Sequence, residues 1–348
     1  MTHGNLSVLF AKAIGIVVIA GAVAACGVSA VGSLSSQRDP LEGLGEKLFT
    51  DTALSLDGSV SCMSCHIPDA LFTDGKTVAE GVNGQPGTRN APGLADVTLM
   101  TSFFWDGREP RLENAVVLPF TNPVEMALPD NAAVVQHVRS DASYGAFFKN
   151  AFGDAEVDFQ RIQAALTAYV RAIPVTSTRY DSYVASGRRQ GLEADEIAGL
   201  AIFEGKGECA ECHLLTGNPA PFTDNLYHHT GIGFEKVSGN VQEMLARMNA
   251  AEDEGRSLGA LILSDRDIAE LGRFVVTQDP SELGAFRTPT LRNVALTAPY
   301  MHDGSVLTLG EAVEYEIYYR GLSRGRPISI TAEERRQLTA FLRALNSQ

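Results

Sequence analysis

Two short words in the sequence carry its clearest chemistry, Cys62-Met63-Ser64-Cys65-His66 and Cys209-Ala210-Glu211-Cys212-His213. Two thiols separated by two residues can meet the two vinyl groups of one porphyrin, and a histidine directly after the second thiol brings its imidazole to the iron. Each word therefore predicts one covalently bound haem c, with Cys62, Cys65 and His66 holding the first and Cys209, Cys212 and His213 the second. Cysteine pairs also hold structural zinc, but these pairs lie far apart in the chain and each has its own adjacent histidine. Of the five cysteines these words use four, so no pair remains for a disulfide.

The fifth, Cys26, closes a different signal. Lys12 precedes an apolar run over 13–25 that is too short to span a bilayer, and Cys26 follows Ala24 and Ala25 directly. The run predicts a lipoprotein-type signal peptide over 1–25, with Cys26 as the acylated first residue; an ordinary cleaved signal peptide is the alternative. Both readings place the folded chain in the periplasm, and the first anchors it to the outer membrane by lipid alone. Residues 26–40, rich in Ser and Gly, read as a tether.

The haem words need a scaffold, and the pattern around them is helical. Phe159, Ile162, Leu166, Tyr169, Val170 and Ile173 recur at spacings of three and four. Thr331 and Glu334 mark a capping box ahead of Leu338, Phe341, Leu342 and Leu345. Shorter helices are expected over 132–138, 194–203, 265–276 and 309–319. The loops 67–101 and 214–239 are longer than a compact domain keeps without cause, and a large prosthetic group that supplies core is such a cause. Leu44-Gly45-Glu46-Lys47-Leu48-Phe49 before the first word resembles Gly199-Leu200-Ala201-Ile202-Phe203-Glu204 before the second. The expected fold is mainly α, with two cytochrome c-like haem domains over 41–187 and 188–348. Its 348 residues and 45% hydrophobic content suit two such cores. A net charge of −14 opposes nucleic acid as a partner and suits a basic electron donor.

From about Leu41 onward the chain resembles the bacterial dihaem cytochrome c peroxidase and MauG family. The resemblance rests on Phe72-Thr73-Asp74-Gly75 after the first haem word, Thr88-Arg89-Asn90-Ala91-Pro92, Phe104-Trp105-Asp106-Gly107-Arg108 and Asn122-Pro123-Val124-Glu125-Met126, and on the long stretch from Arg287-Thr288-Pro289 to His302-Asp303-Gly304. It implies that peroxide reacts at the His66 haem, while the His213 haem stores or relays electrons. It further implies Glu125 as the distal acid, Trp105 as a relay between haems, and Asn90, Thr297 and Pro299 as calcium donors.

Three positions depart from the family pattern. Ala79-Glu80-Gly81-Val82-Asn83-Gly84 lacks the histidine that blocks the active iron in the classical peroxidases, so the first haem is expected to be open at rest, as in the MauG branch. Glu316 stands where the family offers Met or Tyr as sixth ligand of the second haem, with Tyr315, Tyr318 and Tyr319 as neighbouring candidates. Ala115 replaces the distal glutamine.

The expected activity is reduction of hydrogen peroxide with electrons from a small cytochrome or cupredoxin. MauG-like oxidation of a substrate protein is the alternative within the enzyme class, and a non-catalytic dihaem electron carrier is the alternative outside it.

Overall fold

The computed structural model describes residues 39–348. The expected signal peptide, Cys26 and nearly all of the tether lie outside these residues. Ten helices of seven or more residues run through the described chain: α1 (Pro40–Thr50), α2 (Asn131–Ser140), α3 (Tyr144–Phe152), α4 (Phe159–Arg171), α5 (Arg179–Ala185), α6 (Ala194–Glu204), α7 (Phe234–Asp253), α8 (Leu258–Ser264), α9 (Leu309–Ser323) and α10 (Ala332–Arg343). The one sheet among the described residues pairs β1 (Tyr227–His229) antiparallel with β2 (Ala285–Arg287), His228 opposite Phe286. The mainly α expectation holds.

Helix starts follow their capping residues. Asp39 accepts the Leu41 N–H ahead of Pro40, and Asp158 accepts the Arg161 N–H. Thr331 and Glu334 form the expected box at α10, and Thr308 and Glu311 form another at α9.

Two helix crossings build two cores. Where α1 meets α4, a Cβ on Gly45 would sit 2.1 Å from the Ala165 carbonyl oxygen, so only glycine allows that approach. Where α6 meets α10, a Cβ on Gly199 would sit 2.0 Å from the Gln337 oxygen. Leu44, Leu48 and Phe49 pack with Ile162, Leu166 and Val170 in the first core; Leu200, Ile202 and Phe203 pack with Leu338, Phe341 and Leu342 in the second. The packing changes hands between Ile173 and Tyr180, because Tyr180 and Tyr183 of α5 already belong to the second core, ahead of the division expected after residue 187.

The repetition extends further than the sequence comparison found. Residues 94–109 and 291–306 trace the same path: Asp96 and Asn293 have φ of 64° and 61°, Phe104 and Met301 have 67° and 72°, and Gly107 and Gly304 both have 64°. The bridge Phe103↔Glu109 matches the bridge Tyr300↔Val306. The halves also exchange equivalent hydrogen bonds, for the Asn90 N–H donates to the His302 carbonyl and the Arg287 N–H to the Trp105 carbonyl, both at 2.9 Å. In this correspondence Trp105 and His302 are counterparts.

One segment breaks the symmetry. Residues 234–277 form a third apolar cluster of Val237, Met244 and Met248 of α7, Leu261 and Ile262 of α8, and Ile268, Leu271 and Phe274. The expected long loop thus ends where α7 begins. The single helix expected over 265–276 is two short ones, Arg266–Ala269 and Phe274–Thr277, parted at Gly272 (φ +60°), where a Cβ would meet the Ala285 oxygen at 2.3 Å.

Candidate active site

Each haem word opens onto its own cavity. His66, Cys62 and Cys65 line one of about 200 Å³, and His213 and Cys209 line one of about 250 Å³. The two histidines are held alike. His66 Nδ1 donates to the Phe72 carbonyl and His213 Nδ1 to the Phe222 carbonyl, each at 2.9 Å, which leaves both Nε2 atoms for iron. The acceptor residues have φ of 60° and 49°. They open the same tripeptide, Phe72-Thr73-Asp74 and Phe222-Thr223-Asp224, a repeat visible in the sequence once its role is known. Burial holds both imidazoles below their usual range, His213 at about 4, so they are neutral ligands at physiological pH.

The remaining donors fit haem rather than zinc. Burial pushes the Cys62, Cys65 and Cys209 thiols up to about 12. Among the described residues, neither cluster of three metal-ligating side chains contains both cysteines of a word. A further sign comes from Arg89, which lines the His66 cavity, is 6% exposed and leaves Nε and Nη1 without partners. An unmatched buried guanidinium calls for an anion, and haem propionates are anions carried into such a pocket.

Glu125 lines the His66 cavity. A tight turn presents it: the Glu125 N–H donates to the Asn122 carbonyl at 3.0 Å, and the Glu125 carbonyl accepts the Val82 N–H at 2.9 Å. Gly81 makes this possible, since a Cβ there would lie 1.8 Å from the Val124 oxygen. Burial pushes the Glu125 carboxyl up to about 7, only partly offset by the Arg108 guanidinium. Arg108 is itself paired with Asp106 at 2.8 Å and lies 3.7 Å from the Phe104 ring centroid. Ala79, Glu80, Gly81 and Ala115 line the same cavity, and His66 is the one histidine among its lining residues.

Trp105, Asn90 and Arg287 line both cavities and so form the wall between them. The Trp105 Nε1–H donates to the Asn90 carbonyl at 2.9 Å, while Arg287 donates from Nη1 to the Met100 sulfur at 2.9 Å. Asn90, Thr297 and Pro299 all line the His213 cavity, with the Asn90 amide donating to the Lys76 carbonyl at 2.8 Å. Along α9, Leu309, Ala312, Val313, Glu316, Ile317 and Arg320 face this cavity. Glu316 is among them and the three tyrosines are not: Tyr315 stacks on Tyr319 at 4.4 Å, and Tyr318 is 62% exposed. Burial raises the Glu316 carboxyl, and Arg320 stands 3.7 Å from it.

His302 also lines the His213 cavity; its Nε2 is bonded to Glu270 at 2.9 Å and its ring stacks 3.6 Å from Phe286. Burial would raise the Glu270 carboxyl, but His302 and Lys236 outweigh it and hold it at about 2. His228 pairs with Asp224 at 2.7 Å, and His137 is exposed on α2. Sequence reasoning singled out none of Arg89, Arg108, Arg287 and His302, because their part depends on which cavity the fold turns them towards.

Comparison with known proteins agrees with this site. A family model described as di-haem cytochrome c peroxidase matches residues 40–189. Methylamine utilization protein MauG of Methylorubrum extorquens is 31% identical over 313 residues, covering 88% of this chain and 78% of that protein. The chain belongs to the dihaem cytochrome c peroxidase and MauG family. Cytochrome c551 peroxidase of Nitrosomonas europaea is another relative of this dihaem peroxidase, 30% identical over 82% of this chain and 75% of its own. A solved MauG-like protein associated with microbial copper homeostasis superposes with a TM-score of 0.70 at 30% identity, covering 89% of this chain and 90% of that one. As a family member this dihaem peroxidase takes two c-type haems and acts on peroxide with an electron donor or substrate protein, which sets aside the non-catalytic carrier. Among the described residues no helix is long and apolar enough to cross a membrane.

Proposed function

We propose that peroxide reacts at the His66 haem with Glu125 as acid and base, and that Trp105 carries electrons to it from the His213 haem. The observation that carries this reading is the half-buried Glu125 carboxyl lining the same cavity as His66, where desolvation pushes it up to about 7. A haem held at Cys62, Cys65 and His66 supplies, when bound, an iron that takes a peroxide oxygen. Glu125 removes the proton from the near oxygen and gives it to the far one, so that the O–O bond breaks and water leaves. The whole reduction consumes two electrons and two protons and yields two waters. Glu316 is proposed as an oxygen ligand to the iron that His213 holds, and Asn90, Thr297 and Pro299 as donors to calcium.

Replacing Glu125 with Gln tests the central step. The spectral change on adding peroxide is expected to slow by about one hundredfold or more. In the unmutated protein the rate rises with pH through about 7, as the carboxylate that accepts the proton forms; the variant loses that inflexion. An unchanged rate and pH profile in Glu125→Gln would remove Glu125 from the mechanism.

A second reading, oxidation of a substrate protein, is favoured by the absence of another imidazole among the residues lining the His66 cavity, the state the MauG branch implies. Steady-state consumption of peroxide with a reduced small cytochrome or cupredoxin supports the peroxidase; negligible turnover with such donors supports the substrate-protein reading. We place the chain in the periplasm, held to the outer membrane through Cys26, and replacing Cys26 with Ser is expected to release it.

A further inference from the structure

Helix α8 belongs to the half of the chain that carries the second haem word, yet it reaches the first haem's cavity. In the correspondence between halves, the first closes the gap with residues 78–88 and the second with 228–285, and the excess folds as α7, α8 and the two short helices after them. That segment has its own apolar cluster, to which α8 gives Leu261 and Ile262. Leu263, the next residue, is 8% exposed but is not a member of that cluster; it lines the His66 cavity with Glu125, Arg108 and Met126. Gly259 lies one helical turn before Leu263 on the same face, and a Cβ there would stand 3.7 Å from Arg108 Nε and 3.8 Å from Asn122 Nδ2. Arg108 and Asn122 are the residues that flank Glu125 by charge and by turn. The placement is fixed from the other side too, because the buried Thr88 hydroxyl donates to the Ile262 carbonyl at 2.6 Å and the Arg89 guanidinium donates to the Ala269 carbonyl.

We propose that α8 is a wall of the peroxide-reacting cavity and that Leu263 sets which hydroperoxides enter it, admitting hydrogen peroxide and hindering bulky organic hydroperoxides. A leucine at this point occupies the volume an organic substituent would need, and it offers no hydrogen bond that the small substrate would lose. Shape is a modest discriminator in apolar pockets: each methylene of misfit is worth roughly 10-fold to 200-fold in rate. The inference rests on peroxide reacting at the His66 haem.

Stopped-flow spectroscopy of the dihaem holoprotein tests it with hydrogen peroxide and cumene hydroperoxide as the probes, reading the ratio of their rate constants. Leu263→Ala is expected to raise the cumene-to-hydrogen-peroxide ratio about tenfold or more, and Leu263→Phe to lower it. Leu263→Val removes a single methylene, disturbs the packing less than Ala, and is expected to move the ratio the same way by a smaller factor. Leu322→Ala, at an exposed position that lines neither cavity, is expected to leave the ratio unchanged. Ratios within twofold of the unmutated protein in Leu263→Val and Leu263→Phe, with hydrogen peroxide still reacting, would overturn the wall. A ratio that answers to Leu309→Ala, in the His213 cavity, and not to Leu263 would instead overturn the assignment of peroxide to the His66 haem.

Discussion

At the scale of single residues, environment sets chemistry more than identity does. Glu125 is half-buried and Glu270 buried, yet the first is pushed up to about 7 and the second held at about 2, because Glu125 faces an apolar cavity while Glu270 is held by His302 and Lys236. Glu316 adds a third case, and its consequence can be measured. An oxygen donor on the second haem iron favours the oxidised metal more than a thioether does. Replacing Glu316 with Met is therefore expected to raise that haem's reduction potential, read by spectroelectrochemistry, while the first haem's potential stays put. A potential unmoved by the substitution would show that Glu316 does not reach the iron. The haem words were fully legible in the sequence, since covalent attachment depends only on neighbours in the chain. Arg89 and His302 were not, since a buried guanidinium becomes informative only when its missing partners are seen, and His302 becomes a neighbour of Glu270 only through folding.

Among the elements, two glycines set how closely the core helices cross. Gly45 and Gly199 let α1 cross α4 and α6 cross α10 at distances no other residue permits. Replacing either with Ala forces the crossing apart at a cost of about 1–3 kcal/mol. The Gly45 change is expected to disturb the His66 haem's spectrum and the Gly199 change that of His213, each lowering the thermal midpoint. Spectra and midpoints that match the unmutated protein would show that the crossings relax freely. Helix periodicity made α4 and α10 legible because each presents one apolar stripe to a core. The start of α7 was read as the end of a loop over 214–239, and the rest of α7 and α8 went unassigned, because α7 is weakly patterned: its buried residues, Val237, Met244, Met248 and Ala251, are thinly spread along twenty residues. A helix that owes its stability to packing within a small separate cluster leaves a faint mark on the sequence.

Across the whole molecule, duplication explains both what is shared and what differs. Two copies of one plan give two neutral histidines, each tied to a carbonyl, and two cavities that meet at Trp105. A buried polar node joins the regions around them: Arg292 bonds to Asp181 at 3.2 Å and pairs with Asp96 at 3.3 Å, and Asn293 bonds to Asp96 at 3.0 Å. The copies then diverge. The His213 cavity receives Glu316 from α9, whereas the His66 cavity receives Glu125, Leu263 and no second imidazole among its lining residues. Under the proposed function His213 and Glu316 would together hold the second iron, while His66 would hold the first without a second side-chain ligand. Electron paramagnetic resonance of the fully oxidised holoprotein, before and after hydrogen peroxide, measures this division directly. One high-spin and one low-spin ferric signal are expected at rest, with peroxide depleting the high-spin signal; two low-spin signals, or a high-spin signal indifferent to peroxide, would contradict it.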